Sequence, residues 1–164
     1  MRFFMKQKVF SWRSEFTIKD EQGIDRYYVQ GEYFSWGHRL HLYAPGGVEV
    51  AYLEQKLWSF LPKYRVFLAG SLVAEVVQEF TWLKQRYNVH GPNWQVEGDF
   101  LAHEYEFFSP FGPVARISKA WFTWGDSYCI DVANPADELL AICITLTIDC
   151  CLADSAAANN TIHT

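Results

Sequence analysis

The stretch Leu139–Ala153, LLAICITLTIDCCLA, is apolar on almost every face, and the rest of the chain must be arranged to enclose it. It follows Asn134 and Pro135, a capping residue and a residue suited to the first helical position. Asp137 and Glu138 come next, where negative charge is favourable near a helix N-terminus. We therefore predict a helix from Pro135 to Ala153, about 28 Å long at about 1.5 Å per residue.

A strand is the alternative for the same stretch. Ile142, Ile144, Leu146 and Ile148 alternate with other residues and are rich in β-branched side chains, a pattern typical of strands. The capping residues before the stretch favour the helix.

The composition indicates one domain with a large core. Half of the 164 residues are hydrophobic, and 7 Trp, 9 Tyr and 13 Phe favour half-buried β surfaces. We expect a single barrel domain over residues 1–153 and a flexible tail over 154–164, where serine, alanine and asparagine dominate.

The charge and the cysteines indicate a compartment. The net charge is −5 without a long basic run, so nucleic acid is not an expected partner. The N-terminus, MRFFMKQKVF, lacks the apolar core of a secretory signal, which predicts a cytoplasmic protein. Three of the four cysteines lie in the apolar stretch, a placement that fits reduced core thiols.

Between Lys8 and Asp131, short apolar runs alternate with turn residues, which is the spacing of a β-meander. Twelve strands are predicted, at 8–11, 15–19, 26–33, 39–43, 48–56, 63–68, 72–80, 86–90, 94–100, 103–108, 113–121 and 127–131.

A weak repeat runs through this meander. An alanine precedes a tyrosine by 13 residues three times, which predicts the same hairpin used three times, with these pairs: Ala51 and Tyr64, Ala74 and Tyr87, Ala115 and Tyr128. A larger echo pairs Val29–Glu32 with Val96–Asp99, so the body is expected to have two related halves.

Closure of the meander around the apolar helix would bury both. A barrel of about twelve strands is wider than an eight-stranded one, whose side chains already fill the interior, and therefore has room for a helix. Closure also removes exposed strand edges. The prediction is a mainly β fold: a closed twelve-stranded antiparallel β-barrel enclosing a hydrophobic C-terminal helix.

The chain resembles the LURP-one-related family, which includes bacterial YxjI-like proteins, within the tubby C-terminal-like superfold. The resemblance covers nearly the full length and rests on Lys6–Ser11 (KQKVFS), Val96–Phe100 (VEGDF), Lys119–Tyr128 (KAWFTWGDSY) and Glu138–Ala141 (ELLA), which leads to Asp149. It implies a twelve-stranded barrel threaded by a hydrophobic helix, as in phospholipid scramblases and tubby proteins. It implies no enzymatic reaction.

Asp149 stands out because it interrupts the apolar stretch, where an unpaired carboxylate would cost several kcal/mol. Three explanations are open: a place in solvent at the barrel rim or at a strand end, a structural pair with a barrel lysine or arginine, or a functional role. Lys56 and Lys119 fall at corresponding places in the two halves and are either a ligand-binding pair or strand lysines that prevent edge pairing.

No pattern of catalytic or metal-binding residues is found. His38 and His41 would point to opposite faces of a strand, and the adjacent Cys150 and Cys151 lack the spacing of a zinc or redox motif. We therefore predict no enzymatic activity, no cofactor and no metal.

Two functions remain open. The first is a non-enzymatic binding or scaffold protein, a monomer that binds another protein or a small ligand. The second is a membrane-associated, phospholipid- or phosphoinositide-interacting protein that uses Phe3, Phe4 and Met5 beside basic residues, or its apolar helix.

Overall fold

Twelve antiparallel strands close into a barrel around one helix, in a computed structural model that describes residues 1–6, 15–32, 36–80, 85–120 and 127–161. Each strand pairs with its neighbours in the sequence, and the first strand pairs with the last, so no edge is left open. The strands are β1 Arg2–Lys6, β2 Glu15–Asp20, β3 Asp25–Gly31, β4 Arg39–Tyr43, β5 Glu49–Gln55, β6 Lys63–Leu68, β7 Ser71–Phe80, β8 Gln85–His90, β9 Trp94–Asp99, β10 Glu104–Ser109, β11 Gly112–Ala120 and β12 Ser127–Val132.

Eleven of the predicted strands are present, with ends that agree to within two residues. The strand predicted at 8–11 lies outside the described residues. The barrel is closed by β1, in which Phe3 pairs with Ile130 on one side and Asp20 on the other. Phe3 and Met5 are buried in the core, so these two side chains are not available for the lipid contact that the membrane alternative assigned to Phe3, Phe4 and Met5.

The apolar stretch is a helix, as its cap predicted. The Asn134 side chain accepts a hydrogen bond from the Ala136 N–H at 3.0 Å, a short 3₁₀ turn follows at Pro135–Asp137, and helix α1 spans Glu138–Thr161. The helix therefore extends past Ala153, and the flexible tail expected from residue 154 is helical as far as Thr161.

Every side chain from Ala141 to Cys151 is buried, because the barrel surrounds this part of the helix on all sides. Two threonines are tolerated here because each hydroxyl donates to the carbonyl four residues earlier: Thr145 to Ala141 and Thr147 to Cys143, both at 2.9 Å. The hydroxyl groups of both threonines are thus satisfied by the backbone of the helix itself.

The three alanine–tyrosine hairpins are confirmed. In each hairpin the two residues lie on adjacent strands, and the tyrosine pairs with the residue four positions after the alanine; these pairs are Gln55 and Tyr64, Gln78 and Tyr87, Lys119 and Tyr128. The tyrosines are all buried inside the barrel. Consequently, three phenol groups point at the same central helix.

Candidate functional site

Asp149 is 5 % exposed and faces the wall of the barrel. Its Oδ2 accepts a hydrogen bond from the Tyr128 hydroxyl, and its Oδ1 lies 3.4 Å from Nε2 of His103. The His103 and Tyr128 rings stack with centroids 4.8 Å apart. The first two explanations for Asp149 are therefore wrong. Its carboxylate is not in solvent, and it is not paired with a lysine or an arginine. Burial raises its pKa, and the contacts with His103 and Tyr128 only partly oppose that rise.

The raised pKa predicts how stability depends on pH. Because the folded state holds a proton on Asp149 more tightly than the unfolded state does, the stability that this proton contributes is present below the unfolded pKa. It is lost as pH rises through the folded pKa. As the pH increases, we expect the free energy of unfolding of Asp149→Asn to fall less than that of the wild type. The difference should be about 1.4 kcal/mol for each unit by which the pKa of Asp149 differs between the folded and unfolded states.

Denaturant unfolding of both proteins from pH 4 to pH 8 measures this dependence. Asp131→Asn, at a half-exposed site on β12, is the control for the loss of a carboxylate. Parallel curves for Asp149→Asn and the wild type would contradict the assignment.

A second cluster of the same kind lies five residues, or about 1.4 helical turns, further along. Asp154 Oδ1 lies 2.5 Å from His38 Nε2, and its Oδ2 accepts hydrogen bonds from Gln55 Nε2 at 3.2 Å and from the Tyr64 hydroxyl at 3.5 Å. The His38 and Tyr64 rings stack at 6.4 Å. His38 and His103 each directly precede a strand, β4 or β10, that occupies the same place in its half of the barrel. Each half thus contributes a histidine and a tyrosine to one helix carboxylate.

The third carboxylate of the helix is bound in a related way at the other end. Glu138 accepts a hydrogen bond from the Tyr27 hydroxyl at 2.7 Å and lies 3.5 Å from the Arg26 guanidinium. Burial raises the pKa of Tyr27, as it does for Tyr64 and Tyr128, so these phenols remain protonated donors. All three acidic side chains of α1 therefore contact a barrel tyrosine.

These clusters were missed because their members are far apart in sequence. Asp154 was expected in the flexible tail, and His38 was considered only as a metal-binding partner of His41. Two features of the sequence could have indicated the clusters. His38 and His103 each precede a strand at the same place in its half of the barrel, and Asp149 and Asp154 are five residues apart on the helix.

The two lysines are not brought together. Lys56 follows β5 and Lys119 lies near the end of β11; these strands are six positions apart in the ring of twelve. Both lysines are exposed. The register also shows that Lys119, opposite Tyr128, corresponds to Gln55 opposite Tyr64, and not to Lys56 as predicted. A shared ligand-binding pair is not supported.

Large apolar side chains are exposed at the barrel end where α1 finishes. We call this set the aromatic rim: Trp36, Leu57, Trp58, Phe60 and Leu101. They lie in the connections β3–β4, β5–β6 and β9–β10, which share one end because successive strands are antiparallel. Trp58 and Phe60 are fully exposed and Trp36 is 83 % exposed. The opposite end is built from tight turns, and Phe111 is its fully exposed aromatic residue.

Two surface cavities lie on the outer wall of the barrel. One of about 610 Å³ is lined by Tyr28 and Tyr43, whose rings are 6.3 Å apart, and by the turn at Gly46. The other, of about 380 Å³, surrounds His41, which lies 2.9 Å from both Glu32 and Glu49. The hydrogen bond from His41 is the main cause that lowers the pKa of Glu32. Within the described ranges, no three His, Cys, Asp or Glu side chains are arranged to hold a metal.

A closed twelve-stranded antiparallel barrel threaded by its own C-terminal helix defines the structural class of this protein. The family model described as LURP-one-related matches residues 1–149, and the chain belongs to this family. It is 34 % identical over 149 residues to a Bacillus subtilis protein called "Uncharacterized protein YxjI", covering 91 % of this chain and 92 % of the relative. The X-ray structure of an Arabidopsis thaliana protein matches with a TM-score of 0.62, 17 % identity and coverage of 90 % and 89 % of the two chains, a likeness of fold.

Proposed function

We propose that this protein is a cytoplasmic, non-enzymatic binding or scaffold protein of the LURP-one-related type, and that it contacts another protein through the aromatic rim. The observation that carries this proposal is the complete exposure of Trp58 and Phe60 beside Trp36. Tryptophan and other aromatic residues dominate the binding energy of many protein interfaces. Each such ring buries about 150–250 Å² on binding, worth roughly 4–6 kcal/mol at about 25 cal/mol per Å² before the costs of association.

The polar groups around the helix support a structural use of the interior. His103 pairs with the buried Asp149, and His38 pairs with the partly exposed Asp154, so these potential acid–base groups are engaged in two separate pairs. Both cavities described above lie on the outer wall, away from these clusters. We therefore place function on the surface.

A membrane-associated protein is the second candidate, because exposed tryptophans also favour the interface of a lipid bilayer. Pro135–Ala156 is long and apolar enough to cross a membrane by length and composition, although 61 % of its most apolar window is buried inside the barrel. With the helix enclosed and Phe3 in the core, the rim is the surface that could meet lipid.

One set of variants tests the rim and separates the two candidates. We expect Trp58→Ser/Phe60→Ser to fold normally but to lose a protein that immobilised wild type retains from an extract of the source cells. Phe111→Ser, an equally exposed aromatic at the other end, is the matched control and should retain it. The retained protein, once purified, should bind wild type and the control directly.

Flotation with vesicles of phosphatidylcholine alone, and of phosphatidylcholine with phosphatidylglycerol, provides the second arm. We expect no flotation of the wild type. Flotation that disappears in the rim variant would favour the membrane candidate. Equal behaviour of all three proteins in both arms would show that the rim is not the binding surface.

A further inference from the structure

Two of the connections that carry the aromatic rim, β3–β4 and β5–β6, are held together next to the helix by hydrogen bonds between His38 and Gln55. The Gln55 N–H donates to the His38 carbonyl at 2.8 Å, and the His38 N–H donates to Gln55 Oε1 at 3.1 Å. The same Gln55 side chain donates to Asp154 at 3.2 Å, and His38 lies against the other oxygen of Asp154. Asp154 thus contacts the last residue before β4, two residues from Trp36, and the last residue of β5, two residues from Leu57.

Gly37 shows how closely the two connections approach. Its φ is +84°, and a Cβ at this position would lie 3.0 Å from Leu57 Cδ2 and 3.2 Å from Gln55 Oε1. A side chain is therefore disfavoured both by backbone conformation and by space. The connection bearing Trp36 is packed directly onto the one bearing Leu57, Trp58 and Phe60.

The third rim connection is held by the other cluster. His103 has a φ of +54°, an uncommon conformation for a residue with a side chain. The turn is closed by hydrogen bonds from the His103 N–H to the Phe100 carbonyl and from the Ala102 N–H to Asp99. In this conformation His103 reaches Asp149, and Leu101, two residues away, is exposed.

Asp149 and Asp154 can serve different parts of the rim because they point in different directions. Five residues along an α-helix correspond to a rise of about 7.5 Å and a rotation of about 140°. Each carboxylate accordingly meets the half of the barrel that supplies its own histidine and tyrosine.

We propose that Asp154 and Asp149 are positioning residues for the aromatic rim: the central helix sets the arrangement of the rim connections through His38 and His103. This inference rests on the proposed function in naming the rim as the binding surface. It adds that the central helix controls that surface. A substitution near the C-terminal end of the helix would then alter binding at the rim, although the substituted residue does not contact the partner.

Hydrogen exchange measured by mass spectrometry tests the coupling directly. In Asp154→Ala we expect amide exchange at residues 36–38 and 55–57 to be on the order of tenfold faster than in wild type, as for the loss of one or two net hydrogen bonds. Glu138→Ala is the matched control, because it removes another helix carboxylate bound to a tyrosine, but at the opposite end. It should leave these amides unchanged. Asp154→Asn, which keeps the size of the side chain, should fall between Asp154→Ala and wild type.

The retention assay described above provides the second readout. We expect Asp154→Ala to reduce retention of the rim-dependent protein at least fivefold and Glu138→Ala to leave it unchanged. Unchanged exchange at 36–38 and 55–57 in a folded Asp154 variant would overturn the inference while leaving the proposed function intact. If Trp58→Ser/Phe60→Ser retains the protein fully, the proposed function fails, and hydrogen exchange still decides the coupling. Should Asp154→Ala not fold, Asp154→Asn decides by the same criteria.

Discussion

Ile144→Asp is expected to leave the protein unfolded or insoluble. Ile144 is 0 % exposed and lies in the middle of the part of α1 that the barrel surrounds. A carboxylate at this position would have no water and no arranged partner, and burying such a group costs several kcal/mol or more. Domains of this size are stable by about 5–15 kcal/mol, so the substitution removes most or all of the margin. Far-ultraviolet circular dichroism and thermal unfolding measure the outcome.

Two further variants make the result specific. Ile24→Asp introduces the same charge at a turn residue that is 59 % exposed and should change stability by less than about 0.5 kcal/mol. Ile144→Ala creates a cavity without a charge and should fold with a loss of about 2–5 kcal/mol. A soluble, cooperatively unfolding Ile144→Asp protein would contradict enclosure of the helix.

The cysteines of the helix are expected to resist alkylation by on the order of 10⁴-fold or more relative to the unfolded chain. Cys143, Cys150 and Cys151 are buried, and burial raises the pKa of each thiol, which suppresses the reactive thiolate. Reaction therefore requires opening of the barrel, whose frequency follows the unfolding equilibrium. Mass spectrometry after timed exposure to iodoacetamide should show the three thiols reacting together once denaturant unfolds the domain.

Cys129 lies on β12, where strand alternation alone would place it on the outer face of the barrel and in solvent. Its neighbours Tyr128 and Ile130 do face the core, but Cys129 is only 9 % exposed, because it is flanked by Phe4 on β1 and Ser118 on β11. Burial raises the pKa of its thiol to about 11. We expect Cys129 to react before the helix thiols but more slowly than a free thiol. Fast labelling of native Cys143 would mean that the helix leaves the barrel, which would favour the membrane candidate.

The twin clusters extend the internal repeat from the strands to the polar interior. The repeat was recognised through Tyr64 and Tyr128, and both of these phenols bind a helix carboxylate. Tyr87, from the remaining hairpin, is buried and contacts Cys151 of the helix. A single helix therefore provides one carboxylate as a hydrogen-bond acceptor for the tyrosine of each half of the barrel.

Much of the fold was determined by local pattern alone. The cap at Asn134 and the apolar run after it predicted the helix, and alternation between turn residues correctly predicted eleven strands of the barrel, since both signals depend on neighbours in the sequence. Closure followed from the need to bury a long apolar helix and a long meander in one body. The first strand escaped prediction because Arg2–Lys6 carries no turn signal before it and acquires its role only by pairing with β12.

The candidate site was decided only by tertiary structure. Asp149 was recognised as costly, but its partners lie 21 and 46 positions away, on a strand and in a turn that meet only when the barrel closes. Lys56 and Lys119 were paired by a sequence motif, whereas strand register, which is set by hydrogen bonding and bulges, placed Gln55 opposite Tyr64. The exposure of Trp58 and Phe60 could not be predicted from the sequence either. An aromatic residue in a connection can pack inward or project outward, and only the packing of the closed barrel decides which.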